Sequence, residues 1–221
     1  MQQTEANNLI IRSIQVGFIR TNCYIITNKD SNEALIIDPG EEHKRIIEYI
    51  EELKVKPIAI LLTHGHFDHI RAVNEIAENY HIKVYAGKDE LEIINDVELN
   101  CSKTFRRDYI AKVDETFTDG QEVCISDFRF KVLFTPGHTL GSICFYFEQE
   151  KVLFSGDTIF NLGVGRTDFP TGSARTLLES INKKLRPLDD DIIVFPGHGE
   201  PTTIGYERRN SECWLEGEQY V

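Results

Sequence analysis

The segment Thr63-His64-Gly65-His66-Phe67-Asp68-His69 packs four metal-competent side chains, three imidazoles and one carboxylate, into six consecutive positions. They cannot share one helix face, where neighbours stand three and four residues apart. Ile58–Thr63, just before them, reads as a strand. In an irregular loop beyond that strand all four can converge, with Gly65 relieving the backbone between two bulky side chains. Three further stretches repeat one design: Phe130–Gly137 delivers His138, Val152–Gly156 delivers Asp157, and Ile192–Gly197 delivers His198. Each is an apolar run, a small polar or proline residue, a glycine, and then a metal-competent side chain. Side chains placed just beyond strand ends gather along one edge of a sheet, which holds them while the loops vary. Five imidazoles and two carboxylates suffice for two metal ions in a nitrogen and oxygen shell, suited to zinc, iron or manganese. Cys23 and Cys144 lie inside strand runs and read as small buried apolar residues, not ligands. No Gly-x-Ser-x-Gly elbow, Cys/His nucleophile signature or phosphate-cradling glycine loop competes for the chemistry.

The elements that must position these residues follow from hydrophobic periodicity. Leu9–Val16, Cys23–Thr27, Ala34–Asp38, Ile58–Thr63, Ile82–Ala86, Phe128–Thr135, Ile143–Glu148, Val152–Ser155 and Ile192–Phe195 are expected strands. Ile46, Ile47, Ile50 and Leu53 recur at helical spacing, as do Val73, Ile76 and Ala77. Ala174, Leu177, Leu178, Ile181 and Leu185 make the cleanest stripe. Asp96–Asp114 reads as a lid or an irregular insert. Hairpins near the N-terminus give way to alternation with helices, so a mixed α/β fold (α+β in part) is expected, with a mixed sheet covered by helices. His43 and His81 read as solvated or locally hydrogen-bonded, Arg106-Arg107 as a surface feature, and Trp214 as a packing anchor or an oligomer contact.

With 221 residues and no linker, one domain over residues 1–221 is expected. An apolar content of 41% excludes general disorder. The net charge of −12, with no basic cluster, argues against a nucleic-acid partner. No apolar run approaches a membrane span, and Met1–Glu5 carries no secretion signal. Five scattered cysteines fit a reducing compartment, so a cytoplasmic protein is expected.

The Thr-His-x-His-x-Asp-His loop, followed by isolated His138, Asp157 and His198, resembles the metallo-β-lactamase superfamily from about Thr21 to Arg209. The resemblance implies an αββα four-layer sandwich with two divalent ions at the rim between its sheets, zinc first, with iron or manganese as alternatives. It implies that His64, His66 and His138 hold one metal and that Asp68, His69 and His198 hold the second. Asp157 would bridge them, Asp68 and Asp157 being the carboxylates of the catalytic centre. Histidine at 69 with aspartate at 157 is similar to the glyoxalase II-like (hydroxyacylglutathione hydrolase-like) branch. Ala34–Gly40 resembles the family's early Asp-x-Gly turn, which implies that Asp38 braces the metal loop without ligating.

That branch implies a thioesterase whose metal-bridging hydroxide attacks a small, anionic thioester. A thiolate leaves without protonation, which favours thioesters over amides. Arg166 stands where a basic residue of glyoxalase II helps to hold glutathione. The accompanying tyrosine is missing, and the sequence ends soon after Tyr206–Arg209, so a short-chain branch lacking the C-terminal helical domain is expected. Arg166 is expected either to contact the substrate or to pair with Asp168 and fix its loop. Gly165-Arg166-Thr167-Asp168-Phe169 is also similar to persulfide dioxygenases, which implies an alternative single iron on His64, His138 and Asp157. Lactone or ester hydrolysis on the same metals is a further alternative.

Overall fold

The computed structural model describes residues 2–216. A first sheet runs in chain order through β1 (Gln2–Ala6), β2 (Leu9–Val16), β3 (Thr21–Asn28), β4 (Glu33–Ile37), β5 (Lys56–Leu61), β6 (Lys83–Gly87) and β7 (Glu115–Phe117). From β1 to β4 the pairing is antiparallel; from β4 to β7 it is parallel. Parallel neighbours need crossovers. They are supplied by α1 (His43–Leu53) and by α2 (Phe67–Ile70) with α3 (Val73–Tyr80). The short α4 (Leu91–Ile94) opens the segment that leads to β7.

The second sheet contains β8 (Glu122–Ile125), β9 (Phe128–Phe134), β10 (Ile143–Phe147), β11 (Val152–Gly156), β14 (Ile193–Pro196) and β15 (Thr202–Thr203). Its spatial order is β15-β14-β11-β10-β9-β8. A small hairpin, β12 (Ile159–Phe160) with β13 (Gly163–Val164), follows β11. Only β11 and β14 pair in parallel, and α5 (Ala174–Ser180), prolonged by a π-helical turn Ile181–Leu185, lies in their crossover. The chain then forms α6 (Ile204–Asn210) and α7 (Glu212–Glu216).

Period-two alternation decides which side chains meet. Tyr24, Ile26, Leu35 and Ile37 from the first sheet meet Phe145, Phe147 and Phe154 from the second. The residues between them in sequence, Cys23, Ile25 and Ile36, pack against Ile46 and Ile50 of α1 and Val73 and Ile76 of α3. Across the molecule Leu133, Cys144 and Leu153 pack beneath Leu177, Ile181, Leu185, Ile204 and Trp214. The result is an αββα sandwich. Each large side chain buried between the sheets contributes about 1.5–3 kcal/mol relative to exposure, so the rim is carried by a rigid frame. Cys23 and Cys144 are fully buried, and Trp214 is a buried packing anchor.

Several elements differ from expectation. β1 is a polar edge strand, and β7 and β8 are short, so none of the three carries a legible apolar run. Residues 96–114 are turns to 106 and irregular backbone beyond, tied to the metal loop: Phe67 N–H donates to Asn100 O at 2.9 Å. Among the described residues no helix is long and apolar enough to cross a membrane.

Candidate metal centre

Every candidate ligand stands on one rim. His64 follows β5, His138 follows β9, Asp157 directly follows β11, and His198 follows β14. β9 and β11 both pair antiparallel with β10, and β14 pairs parallel with β11, so the C-terminal ends of these three strands share an edge. Backbone bonds then close the sheets on each other there: Ile143 N–H donates to Thr63 O at 2.9 Å, and Asn22 N–H to Gly197 O at 2.7 Å. Gly197 is required by close approach, since a Cβ would stand 2.2 Å from Asp157 Oδ1 and 2.7 Å from His69 Cε1. The four-residue cluster is only partly a loop. His64 and His66 are in irregular backbone, while Asp68 and His69 lie on α2, whose Phe67 and Ile70 are buried.

His64, His66 and His138 form a first trio, with His66 Nδ1 and His138 Nε2 2.9 Å apart. Asp68, His69 and His198 form a second trio; Asp68 Oδ2 lies 3.5 Å from His69 Nε2 and 3.3 Å from His198 Nε2. Asp157 stands between them. Its Oδ2 is 3.5 Å from His138 Nε2 and 3.5 Å from His198 Nε2, and its Oδ1 is 3.4 Å from His69 Nε2. The far side of three of the five rings is held. His138 Nδ1–H donates to the Arg166 carbonyl at 2.7 Å, His69 Nδ1–H to Asp38 Oδ2 at 3.0 Å, and His64 Nδ1 meets Thr63 Oγ1 at 3.2 Å. Thr21 Oγ1 donates to Asp68 Oδ2 at 2.8 Å. Asp38 also groups with His64 and His69, but Oδ1 accepts Thr63 N–H at 2.8 Å and Oδ2 accepts the Thr63 hydroxyl at 2.6 Å. With both oxygens engaged, Asp38 is a brace.

The donor set fits divalent cations. His64 Nε2, His69 Nε2 and Asp157 Oδ1 are buried without a hydrogen-bond partner, an arrangement costly unless a positive charge satisfies it. Burial, reinforced by neighbouring imidazoles, holds His64 well below its ordinary value and His66 down to about 3. Burial opposes ionisation of Asp68 and Asp157, yet His69 overrides it, bringing Asp68 to about 2 and Asp157 well below the carboxylate range. His69 in turn overcomes its burial through Asp68 and Asp157 and is raised well above the usual histidine value.

Above the rim opens a cleft of about 370 Å³ with apolar walls from Ile19, Phe67, Phe105, Phe160, Val164 and Phe169. The Phe105 ring stacks on Phe67 at 4.5 Å, so the turn-rich insert forms one wall. Arg166 reaches this cleft, but its Nε and Nη2 donate to Asp168 Oδ1 and Oδ2 at 2.7 and 2.6 Å, and it lies 4.0 Å over the Phe169 ring. Its backbone carbonyl serves the site through His138. Arg107 ties the insert to Glu41, while Arg106 is exposed. His43 and His81 belong to none of the metal-competent groups among the described residues. Thr21 and the aromatic wall carry no sequence signal, being single residues that only the fold brings together.

Residues 16–198 match the family described as the Metallo-beta-lactamase superfamily. The chain belongs to this superfamily. The hydroxyacylglutathione hydrolase GloC of Haemophilus influenzae is 38% identical over 207 residues, 91% of this chain and 96% of its own. Among solved structures, BLEG-1 B3 metallo-beta-lactamase superposes with a TM-score of 0.89 at 40% identity, covering 92% of this chain and 99% of its own. TTHA1623 in a di-iron-bound form does so with a TM-score of 0.82 at 30% identity, covering 91% and 98%. The metallo-β-lactamase fold binds divalent metals, and this member is a metal-dependent hydrolase of small molecules.

Proposed function

We propose that the protein is a glyoxalase II-like thioesterase of the cytoplasm, using two divalent ions on a single domain. His64, His66 and His138 hold one ion; Asp68, His69 and His198 hold the other; Asp157 is shared. Zinc is the ion assigned, and iron or manganese suits the same donors. The observation that carries this reading is Asp157 Oδ2, 3.5 Å from an imidazole of each trio. The relative named as a hydroxyacylglutathione hydrolase supports the substrate class.

Bound there, two such ions would polarise a carbonyl and lower the pKa of a bound water to about 7. The protein's own groups decide what can react. No side chain in the cleft serves as nucleophile: Cys101 lines it, and burial pushes that thiol up. No neutral acid stands ready for a leaving group either, since Asp68 and Asp157 would both be taken up as ligands of the ions. An amide nitrogen needs a proton to leave; a thiolate does not. The apolar walls receive the acyl portion, and an anionic thiol portion keeps its charges in solvent, Arg166 being engaged by Asp168. A single-iron persulfide dioxygenase would use only His64, His138 and Asp157, giving no task to the braced second trio.

The test compares three reactions of one metal-loaded preparation: hydrolysis of a glutathione thioester, hydrolysis of a β-lactam, and oxygen uptake on glutathione persulfide. Thioester turnover should dominate. Dominant oxygen uptake would replace the proposal with the dioxygenase.

A further inference from the structure

Glu90 lies on the short turn Lys88–Glu90 after β6 and is completely buried. Its carboxylate accepts three hydrogen bonds, all from the two loops that carry the first trio. Oε1 accepts at 2.7 Å from Gly65 N–H, the peptide between His64 and His66. Oε2 accepts at 2.9 Å from the hydroxyl of Thr139, the residue after His138, and at 2.9 Å from Gly141 N–H two residues further on. Ser142 Oγ, 2.5 Å from Thr139 Oγ1, can donate to it and leave the only Thr139 hydroxyl hydrogen for Glu90. The fit is close, for a Cβ on Gly141 would stand 2.3 Å from Glu90 N. A buried carboxylate is tolerated only when its acceptors are matched by donors, and here those donors come from loops of two different sheets.

The second trio is braced separately. Thr21 holds Asp68, Asp38 holds His69, and Asn22 Nδ2 donates to Pro196 O at 3.0 Å and Gly199 O at 2.9 Å, on either side of His198. None of these braces involves Glu90.

We propose that Glu90 is the positioning residue of the first metal trio, clamping the His64–His66 loop against the His138 loop so that their ring nitrogens converge on one ion. The inference rests on the reading of His64, His66 and His138 as ligands. Glu90 touches no substrate; it acts through the peptide bonds beside the ligands. Because its bonds reach both halves of one trio and neither half of the other, its loss should be felt by one ion.

Glu90→Gln tests this. Its side-chain amide must turn an N–H toward Gly65 N–H or toward the Thr139–Gly141 pair, so one loop is released. Metal affinities of the metal-free protein are measured by competition with a chromophoric chelator, using cobalt(II) spectra to distinguish the sites and His66→Ala to identify the first. Glu90→Gln should weaken the first site about 10-fold or more, within the range for outer-shell partners, and change the second by less than about two-fold. Asp89→Asn makes the same acid-to-amide change at an exposed neighbour and should change neither. Should Glu90→Gln not fold, Thr139→Val removes one of the three bonds and should give a smaller loss at the same site. Unchanged first-site affinity, or equal weakening of both sites alongside a lower metal-free melting temperature, would overturn the positioning role. Retention of both metals by His66→Ala would overturn the ligand assignment and the inference with it.

Discussion

Asp38→Asn separates bracing from ligation with little change in shape. In the native site Oδ2 of Asp38 accepts the Nδ1–H of His69 at 3.0 Å and the Thr63 hydroxyl at 2.6 Å, while Oδ1 accepts Thr63 N–H at 2.8 Å. The carboxamide oxygen of the variant can keep the Thr63 N–H, placing the new amide nitrogen opposite His69. His69 Nδ1 must then accept, and a neutral ring carries its proton on Nε2, the atom that faces Asp68 and Asp157. That tautomer cannot ligate an ion at Nε2. Charge-assisted bonds at about 1.5–3 kcal/mol become neutral ones at about 0.5–1.5 kcal/mol, so stability should fall by only about 1–2 kcal/mol. Metal affinity at the second site should fall about 10–100-fold, or roughly 1.4–2.7 kcal/mol. Chelator competition gives the affinity, and melting of the metal-free protein gives the stability. Unchanged affinity at both sites would refute the argument, as would equal losses at the two sites.

Three further outcomes follow from the same geometry. Burial notwithstanding, Asp68 and Asp157 raise His69 well above its ordinary value, so at about pH 7 an ion must displace its Nε2 proton. Filling the second trio should release about one proton and weaken as pH falls, because protons compete for His69; calorimetry in buffers of different ionisation enthalpy reads this, and proton-free binding would contradict it. Arg166→Ala breaks an exposed pair with Asp168 worth about 0–1 kcal/mol and should change KM for anionic and neutral thioesters alike; selective loss on the anionic one would restore Arg166 as a substrate contact. Phe105→Ala removes one apolar wall and should raise KM for long-chain acyl thioesters about five-fold with kcat retained, which kinetics on an acyl-length series checks; an equal effect on acetyl thioesters would refute the wall.

The candidate positions His138, Asp157 and His198 were legible because each follows an apolar strand run and a glycine, and His64, His66, Asp68 and His69 because they crowd into six positions after a strand. Fold layers were legible as well: the unbroken apolar runs of β4 and β10 mark strands covered on both faces, and the i, i+4 spacing of Ile46 and Ile50 marks a buried helix face. Glu90 was not legible. Its neighbours Lys88, Asp89 and Glu92 make it look like one more surface charge, and only tertiary packing buries it. The helical turn at Phe67–Ile70 escaped because four residues carry too little periodicity. For Arg166 both substrate contact and pairing with Asp168 were readable; the bidentate geometry shows the pairing, and its carbonyl's hold on His138 depends on a backbone that no side-chain pattern reveals.

The central claim is a shared two-ion centre that hydrolyses thioesters. Its most direct test is a stepwise zinc titration of the metal-free protein, with bound metal and glutathione thioester hydrolysis measured at each addition, beside Asp157→Ala. Turnover should reach its plateau at about two ions per chain, and Asp157→Ala should lose affinity at both sites and turnover with them. Full activity at one ion, or an Asp157→Ala protein that keeps both metals and its turnover, would contradict the account.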